Sequence, residues 1–136
     1  MTVTIPEAYK DLAERPTFAV LATVSADGSP QTSVIWWMYD GEYVIINTAR
    51  GRLKDRNMTE RPHVSLTIMD PDNPYRYMEI RGEIAEQDEA SGIDVINQLS
   101  KRYTGNEDYY AFNPGQKGKE QRVTYKVRPT RIIAHG

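Results

Sequence analysis

The densest chemistry in the chain lies between Asn47 and Arg61, in the run NTARGRLKDRNMTER. Arg50, Arg52, Lys54, Arg56 and Arg61 stand there against Asp55 and Glu60, a local excess of cations in a chain whose 17 Lys and Arg are outnumbered by 19 Asp and Glu. The apolar pattern of a strand ends at Thr48, at the head of this run, and Leu53 to Glu60 suits a short helix stopped by Pro62. A strand end, a loop at Gly51 and a helix N-terminus bring together free backbone N–H groups, the positive end of a helix dipole and Arg or Lys side chains, an arrangement that holds phosphate. A phosphorylated cofactor is one reading of the run. A solvated, charged helix face is the other.

A second constellation is Ser33-Val34-Ile35-Trp36-Trp37, expected in a central strand. Neighbouring strand residues point to opposite faces, so one indole is expected in the interior or an interface and the other against a groove, where it would flank a planar cofactor. Ordinary packing of two large side chains is the alternative. Tyr75, Tyr77, Glu79 and Arg81 share one face of a later strand, opposite Arg76, Met78 and Ile80, and a row so polar is expected to face solvent or a partner subunit.

Several classes of chemistry find no support. The chain has no cysteine, and His63 and His135 are far apart, which argues against a metal site, thiol catalysis or a triad. GxSxG, Walker A and GxGxxG motifs are missing from the sequence. A net charge of -2 lacks the bias of a nucleic-acid binder. No window has the apolar length of a membrane span and the first residues do not resemble a signal peptide, so a soluble, cytoplasmic protein is expected.

The elements that must position these residues are mostly strands. The 136 residues are expected to form one domain, 1–136. Pro6 to Arg15 reads as a short helix with Tyr9 and Leu12 facing the body, and Thr17 to Ser25 as a strand buried on both sides. Asp27-Gly28 and Asp40-Gly41 mark hairpin turns around a strand from Gln31 to Tyr39 and another from Glu42 to Thr48, giving three strands in meander order. His63 to Met69 and Tyr75 to Ala85 continue the pattern, with Gly82 as a bulge or close-approach point. Ile93, Ile96, Leu99 and Tyr103 form the stripe of an amphipathic helix that closes at Gly105. A loop carrying Tyr109, Tyr110 and Phe112 follows, then a strand from Arg122 with one solvated face. Tight turns and six or seven strands favour a small closed or nearly closed antiparallel barrel, mostly β with minor α.

The order of these motifs resembles a known superfamily. ATVSADGSPQTSVIWWMYDGEYVIINTARGRLKDRNMTERPHVSLTIMD followed by YMEIRGEI looks like the pyridoxamine 5'-phosphate oxidase-like, flavin-binding split-barrel proteins, and in particular the branch that uses the deazaflavin coenzyme F-420. The likeness is close over Phe18 to Ala85 and extends in element order to Ile133. It implies a six- to seven-stranded antiparallel split β-barrel with short helices.

Carried over residue by residue, the resemblance implies that Arg50, Arg52 and Lys54 hold the cofactor phosphate with Thr48 and Ala49 near it. Ser33, Val34, Ile35 and Trp36 would line the ring site, and Asn57 would brace the loop. It further implies a homodimer with the cofactor at the subunit interface, where Tyr77, Met78 and Arg81 of the partner subunit complete the pocket. The activity implied is hydride transfer from reduced F-420 to a small conjugated acceptor, with the accompanying proton from solvent, Ser33 or Tyr77. Basic residues at Arg56, Arg61 and Lys117 to Lys119 would meet the anionic tail of the cofactor. An FMN-binding reductase or oxidase of the same fold, and a non-catalytic F-420 carrier, are the alternatives. The vitamin-B6 oxidases carry an Arg and a Lys where Thr32 and Trp37 stand here, and their C-terminal Arg and His pattern is missing, which weakens FMN as the cofactor.

Overall fold

In the computed structural model, which describes residues 3–136, Pro6 leads into a 3-10 turn at Glu7–Tyr9 and then helix α1 (Lys10–Glu14). Arg15 turns extended ahead of Pro16, as the proline ring requires of its predecessor, and ends the helix. The strands are β1 (Ala19–Val24), β2 (Pro30–Ile35), β3 (Met38–Tyr39), β4 (Val44–Ala49), β5 (His63–Asp70), β6 (Asn73–Asp88) and β7 (Arg122–His135). Helix α2 (Leu53–Glu60) follows β4, and α3 (Gly92–Thr104) follows β6, with 3-10 turns at Tyr109–Ala111 and Pro114–Gln116.

All pairings are antiparallel in one seven-stranded sheet of order β2-β1-β5-β6-β7-β4-β3. The strands β2 and β3 are consecutive in the chain but occupy opposite edges, so the Trp36-Trp37 corner carries the chain across the opening of the curled sheet. This is the split barrel. It replaces two expectations: the strand from Gln31 to Tyr39 is broken at the tryptophans, and there is no three-strand meander. Ser33 to Ile35 therefore belong to an edge strand and not a central one.

Register assigns the faces. Leu21, Leu66 and Ile80 are successive neighbours across β1, β5 and β6, and their side chains fill the interior together with Tyr125 of β7 and Ile46 of β4. Trp37 is fully buried there, its Nε1 donating to Thr17 Oγ1 at 3.2 Å, so the indole meets the interior without an unpaired polar atom. At Gly82 the β6–β7 register shifts, and a side chain would place its Cβ 2.6 Å from the Arg128 carbonyl oxygen, so this close approach requires glycine.

The outside of the sheet has two halves. Over β4 and β7 lies α3, which joins Val95, Ile96 and Leu99 to Ile45 in a second apolar cluster. Arg122 and Thr124, expected on a solvated face, are buried beneath this helix. Gly92 rests directly on the backbone of Arg122, with no room for a Cβ, and this contact sets the rotation of α3. Val95 consequently points inward, while Ile93, expected in the buried stripe, is exposed. Arg102 Nη2 donates to the Ala13 and Arg15 carbonyls, satisfying chain-end groups of α1 and fixing α3 against it.

Among the described residues, no helix lies over the other half, across β2, β1, β5 and β6. At its border with α3, where the Phe18 ring lies 5.5 Å from that of Tyr103 and Val34 reaches the edge of the groove, these two residues are still 58% and 67% exposed, so β1 is buried on its inner face only, contrary to the expectation for Thr17 to Ser25. Among the described residues no helix is long and apolar enough to cross a membrane.

Candidate functional site

A groove of about 370 Å³ runs between the edge of β2, the start of α2 and the face of α3. Arg52, Lys54 and Arg122 line it with Asn47, while Trp36, Ile96, Leu99 and Phe112 give apolar surface. Each cation is brought there by local structure. Arg52 is the residue at which extended backbone turns into α2, and Lys54 is in the first turn of that helix. Arg122 opens β7 directly opposite Ala49, the last residue of β4, so the loop leading to α2 starts beside it.

Arg122 is held rigidly. Its Nε donates to Asn47 Oδ1 at 2.9 Å and its Nη1 to Glu120 Oε1 at 3.0 Å, while its guanidinium lies 5.1 Å from the centre of the Tyr109 ring. Asn47 in turn donates from Nδ2 to the Gly92 carbonyl at 2.9 Å, which links the groove to the seat of α3. Lys54 Nζ donates to Ser33 Oγ at 3.2 Å. Burial pushes the Lys54 ammonium below its ordinary pKa, and repulsion from Arg52 and Arg122 pushes it further in the same direction. An anion in the groove would relieve that repulsion, so the residues present fit a phosphate.

One wall is aromatic. Trp36 stacks on Tyr103 with ring centres 5.4 Å apart and planes 8° from parallel, and the edge of Tyr109 approaches it at 6.1 Å. Tyr103 is itself fixed, because its hydroxyl accepts from the Trp37 N–H and donates to the Thr17 carbonyl. The groove thus offers a preset flat surface beside cations, which suits a planar ring carrying a phosphate.

The residues expected from sequence divide. Ser33, Val34, Ile35, Trp36, Arg52 and Lys54 meet at the groove. Arg50 does not: its guanidinium bonds to Glu89, Gln87 and Asp55, so it is a structural tie rather than a free phosphate ligand. Asp55 also accepts from Gly51 N at 2.9 Å and from the Tyr125 hydroxyl at 2.5 Å. Burial raises the Asp55 carboxyl, and the hydrogen bonds from Tyr125, Gly51 and Arg50 outweigh this, leaving it below the usual carboxylate range. Thr48 points into the interior with its Oγ1 buried and unbonded, and Ala49 is buried beside Arg122.

Asn57 donates to Thr23 Oγ1 and Ser25 Oγ and ties α2 to β1. Met78 is fully buried in the barrel core, because β6 alternation turns it inward, so its side chain is not available to a cofactor outside. Tyr77 lies on the open outer face, stacked on His135 at 4.6 Å, with Arg81 four residues on along the same face of β6; this chain does not bring either to the groove. Arg61 is occupied by the Val24 carbonyl, Glu60 and Asn57, whereas Arg56, Lys117 and Lys119 are exposed.

Sequence reasoning missed Asn47, Arg122, Ile96, Leu99 and the Tyr109–Asn113 segment as parts of the groove. The aromatic cluster Tyr109, Tyr110 and Phe112 was the available signal, since so much ring surface in a loop needs something to cover.

A curled, antiparallel split barrel with a cationic, aromatic-walled groove at its edge defines a flavin-binding type of fold. The chain belongs to the pyridoxamine 5'-phosphate oxidase family, whose profile matches residues 5–136. Among solved structures, a protein described as an F420 reductase is 33% identical, superposes with a TM-score of 0.79, and is matched over 95% of this chain and 98% of its own. The conserved hypothetical protein Rv2991 of Mycobacterium tuberculosis is 21% identical with a TM-score of 0.73, covering 98% of this chain and 86% of its own. HutZ of Vibrio cholerae, described as a heme storage protein, shares the fold at 17% identity and a TM-score of 0.70, covering 98% and 96%. No curated protein matches the chain.

Proposed function

We propose that the groove binds coenzyme F-420 and that the protein is an F-420-dependent oxidoreductase acting on a small conjugated acceptor. The observation that carries this reading is the convergence of Arg52, Lys54 and Arg122 beside Trp36, with the Lys54 ammonium disfavoured first by burial and then by its two cationic neighbours. The F420 reductase neighbour supports it. When bound, the deazaflavin supplies a hydride at its ring, so no protein nucleophile is required. Arg52, Lys54 and Arg122 hold the phosphate, and Trp36, Ile96, Leu99 and Phe112 exclude water from the ring. Ser33 Oγ accepts from Lys54, which leaves its own proton free to be donated to a bound molecule.

A second copy of the chain belongs to this reading. Phe18, Val34 and Met69 form an exposed apolar surface on the helix-free face, beside Tyr77 and Arg81. Covering that face in a homodimer brings Tyr77 and Arg81 of one protomer toward its partner's groove edge at β2.

The cation cluster would serve any flavin phosphate, so FMN is the second reading, and a non-catalytic carrier the third. Protein made in a host with FMN but no F-420 should emerge colourless, bind added F-420 more tightly than FMN by fluorescence titration, and reduce a conjugated acceptor with reduced F-420. A yellow protein with stoichiometric FMN would overturn the cofactor assignment. Tight F-420 binding without turnover across a broad acceptor panel would favour the carrier.

A further inference from the structure

Glu120 stands among the cations of the groove without having been expected there. Its side chain is 11% exposed, and its Oε1 accepts from Arg122 Nη1 at 3.0 Å and from the Tyr110 hydroxyl at 3.1 Å. Its Oε2 lies 3.5 Å from Arg52 Nη2. One carboxylate is therefore shared by two of the three cations that line the groove, and two hydrogen bonds and an ion pair from different segments hold it in place.

We infer that Glu120 is a specificity-determining residue: its fixed charge disfavours a doubly charged phosphomonoester more steeply than a singly charged phosphodiester. The inference rests on the groove being a phosphate site. The energy between a fixed charge and a ligand scales with the ligand's charge, so whatever repulsion Glu120 imposes on a monoanion is doubled for a dianion. A phosphomonoester such as that of FMN carries close to two negative charges at neutral pH, its second pKa being about 6. The phosphodiester that links the deazaflavin of F-420 to its tail carries one.

Burial of Arg122 accounts for a counter-ion nearby, but not for one whose second oxygen faces Arg52. A carboxylate so placed lowers the positive potential at two sides of the groove at once, leaving Lys54 as the cation it does not pair. The device selects by charge, in addition to any selection by ring shape.

The test uses phenyl phosphate and diphenyl phosphate as monoester and diester probes, titrated by tryptophan fluorescence into wild type, Glu120→Gln and Glu120→Asp, with F-420 and FMN run alongside. Gln keeps an acceptor for Arg122 and Tyr110 while removing the charge, and melting curves report whether the fold is kept. At about pH 8 Glu120→Gln should tighten the diester about threefold and the monoester about tenfold, the square of the smaller effect. At about pH 5, where the monoester carries a single charge, the two gains should become equal. Glu120→Asp should keep the wild-type ratio. Equal gains at about pH 8, or a loss for both probes, would overturn the inference and leave Glu120 as a structural partner of Arg122. If neither probes nor flavins bind the wild type, the phosphate reading of the groove falls first, and the inference with it.

Discussion

Lys54 Nζ and Ser33 Oγ meet at 3.2 Å, joining the first turn of α2 to a strand at the free edge of the sheet. Edge strands have one unpaired side, and this contact helps hold β2 where the barrel is split. The same ammonium faces Arg52 and Arg122, so one residue fastens the edge and completes the cation cluster.

Replacing Arg52 or Lys54 by alanine should weaken F-420 binding by about 1–3 kcal/mol, the value of a charge-assisted hydrogen bond in a partly desolvated site. Arg52→Ala should leave the melting temperature nearly unchanged. Unaltered affinity in both variants by fluorescence titration would remove the phosphate from this end of the groove.

Anion binding should depend on pH through Lys54. Its pKa in the free protein is lowered from 10.5, chiefly by burial and then by Arg52 and Arg122, and an anion favours the protonated form. Affinity should therefore be intact at neutral pH and decline as pH rises through a value below 10.5, earlier than for an ordinary lysine. Lys54→Arg should flatten the profile. Titrations from about pH 7 to 10 decide this.

Tyr125 is fully buried and its hydroxyl is bonded to Asp55; burial first, and that carboxylate second, raise its pKa to about 12. Stability from the neutral phenol is complete below the unfolded value of 10.0 and is lost as pH climbs toward about 12. Tyr125→Phe should cost about 1–3 kcal/mol at neutral pH by leaving Asp55 short of a donor, and should remove this alkaline loss. Denaturant unfolding at several pH values gives both quantities.

Gly92→Ala should lower the melting temperature and weaken F-420 binding together, because a Cβ there collides with the Arg122 backbone and lifts α3 from β7. An exposed control, Ile93→Ala, should change neither appreciably. A drop in stability with undiminished affinity would show that the groove does not depend on the seat of α3.

Wild type should have the mass of a dimer in light scattering at micromolar concentration, and Val34→Asp the mass of a monomer. Val34 is 67% exposed on the helix-free face, where a carboxylate would have to be desolvated against a second copy. A monomeric wild type that still binds F-420 would contradict the shared pocket.

Local structure was legible in the sequence wherever neighbours along the chain decide it. Leu53 to Glu60 is the helix expected, β5 alternates as read, Gly82 marks a register shift and Gly105 ends α3. The two tryptophans do diverge, Trp37 into the core and Trp36 to the groove. Composition also located the basic run, and the motif order pointed to the family that the profile match shows.

Tertiary structure decided the rest, because it depends on which distant segments meet. Turn residues show that a chain reverses but not which strands pair, so the placement of β2 and β3 at opposite edges could not be read from the hairpin signals. The alternation in β7 looks the same whether water or α3 covers Arg122, and only the packing of that helix makes the arginine a groove residue. Arg50, Arg52 and Lys54 are equally basic by type. Asp55, Glu89 and Gln87 converge on Arg50 alone, and that convergence, made by β6 passing beside α2, separates the structural tie from the two residues that line the groove.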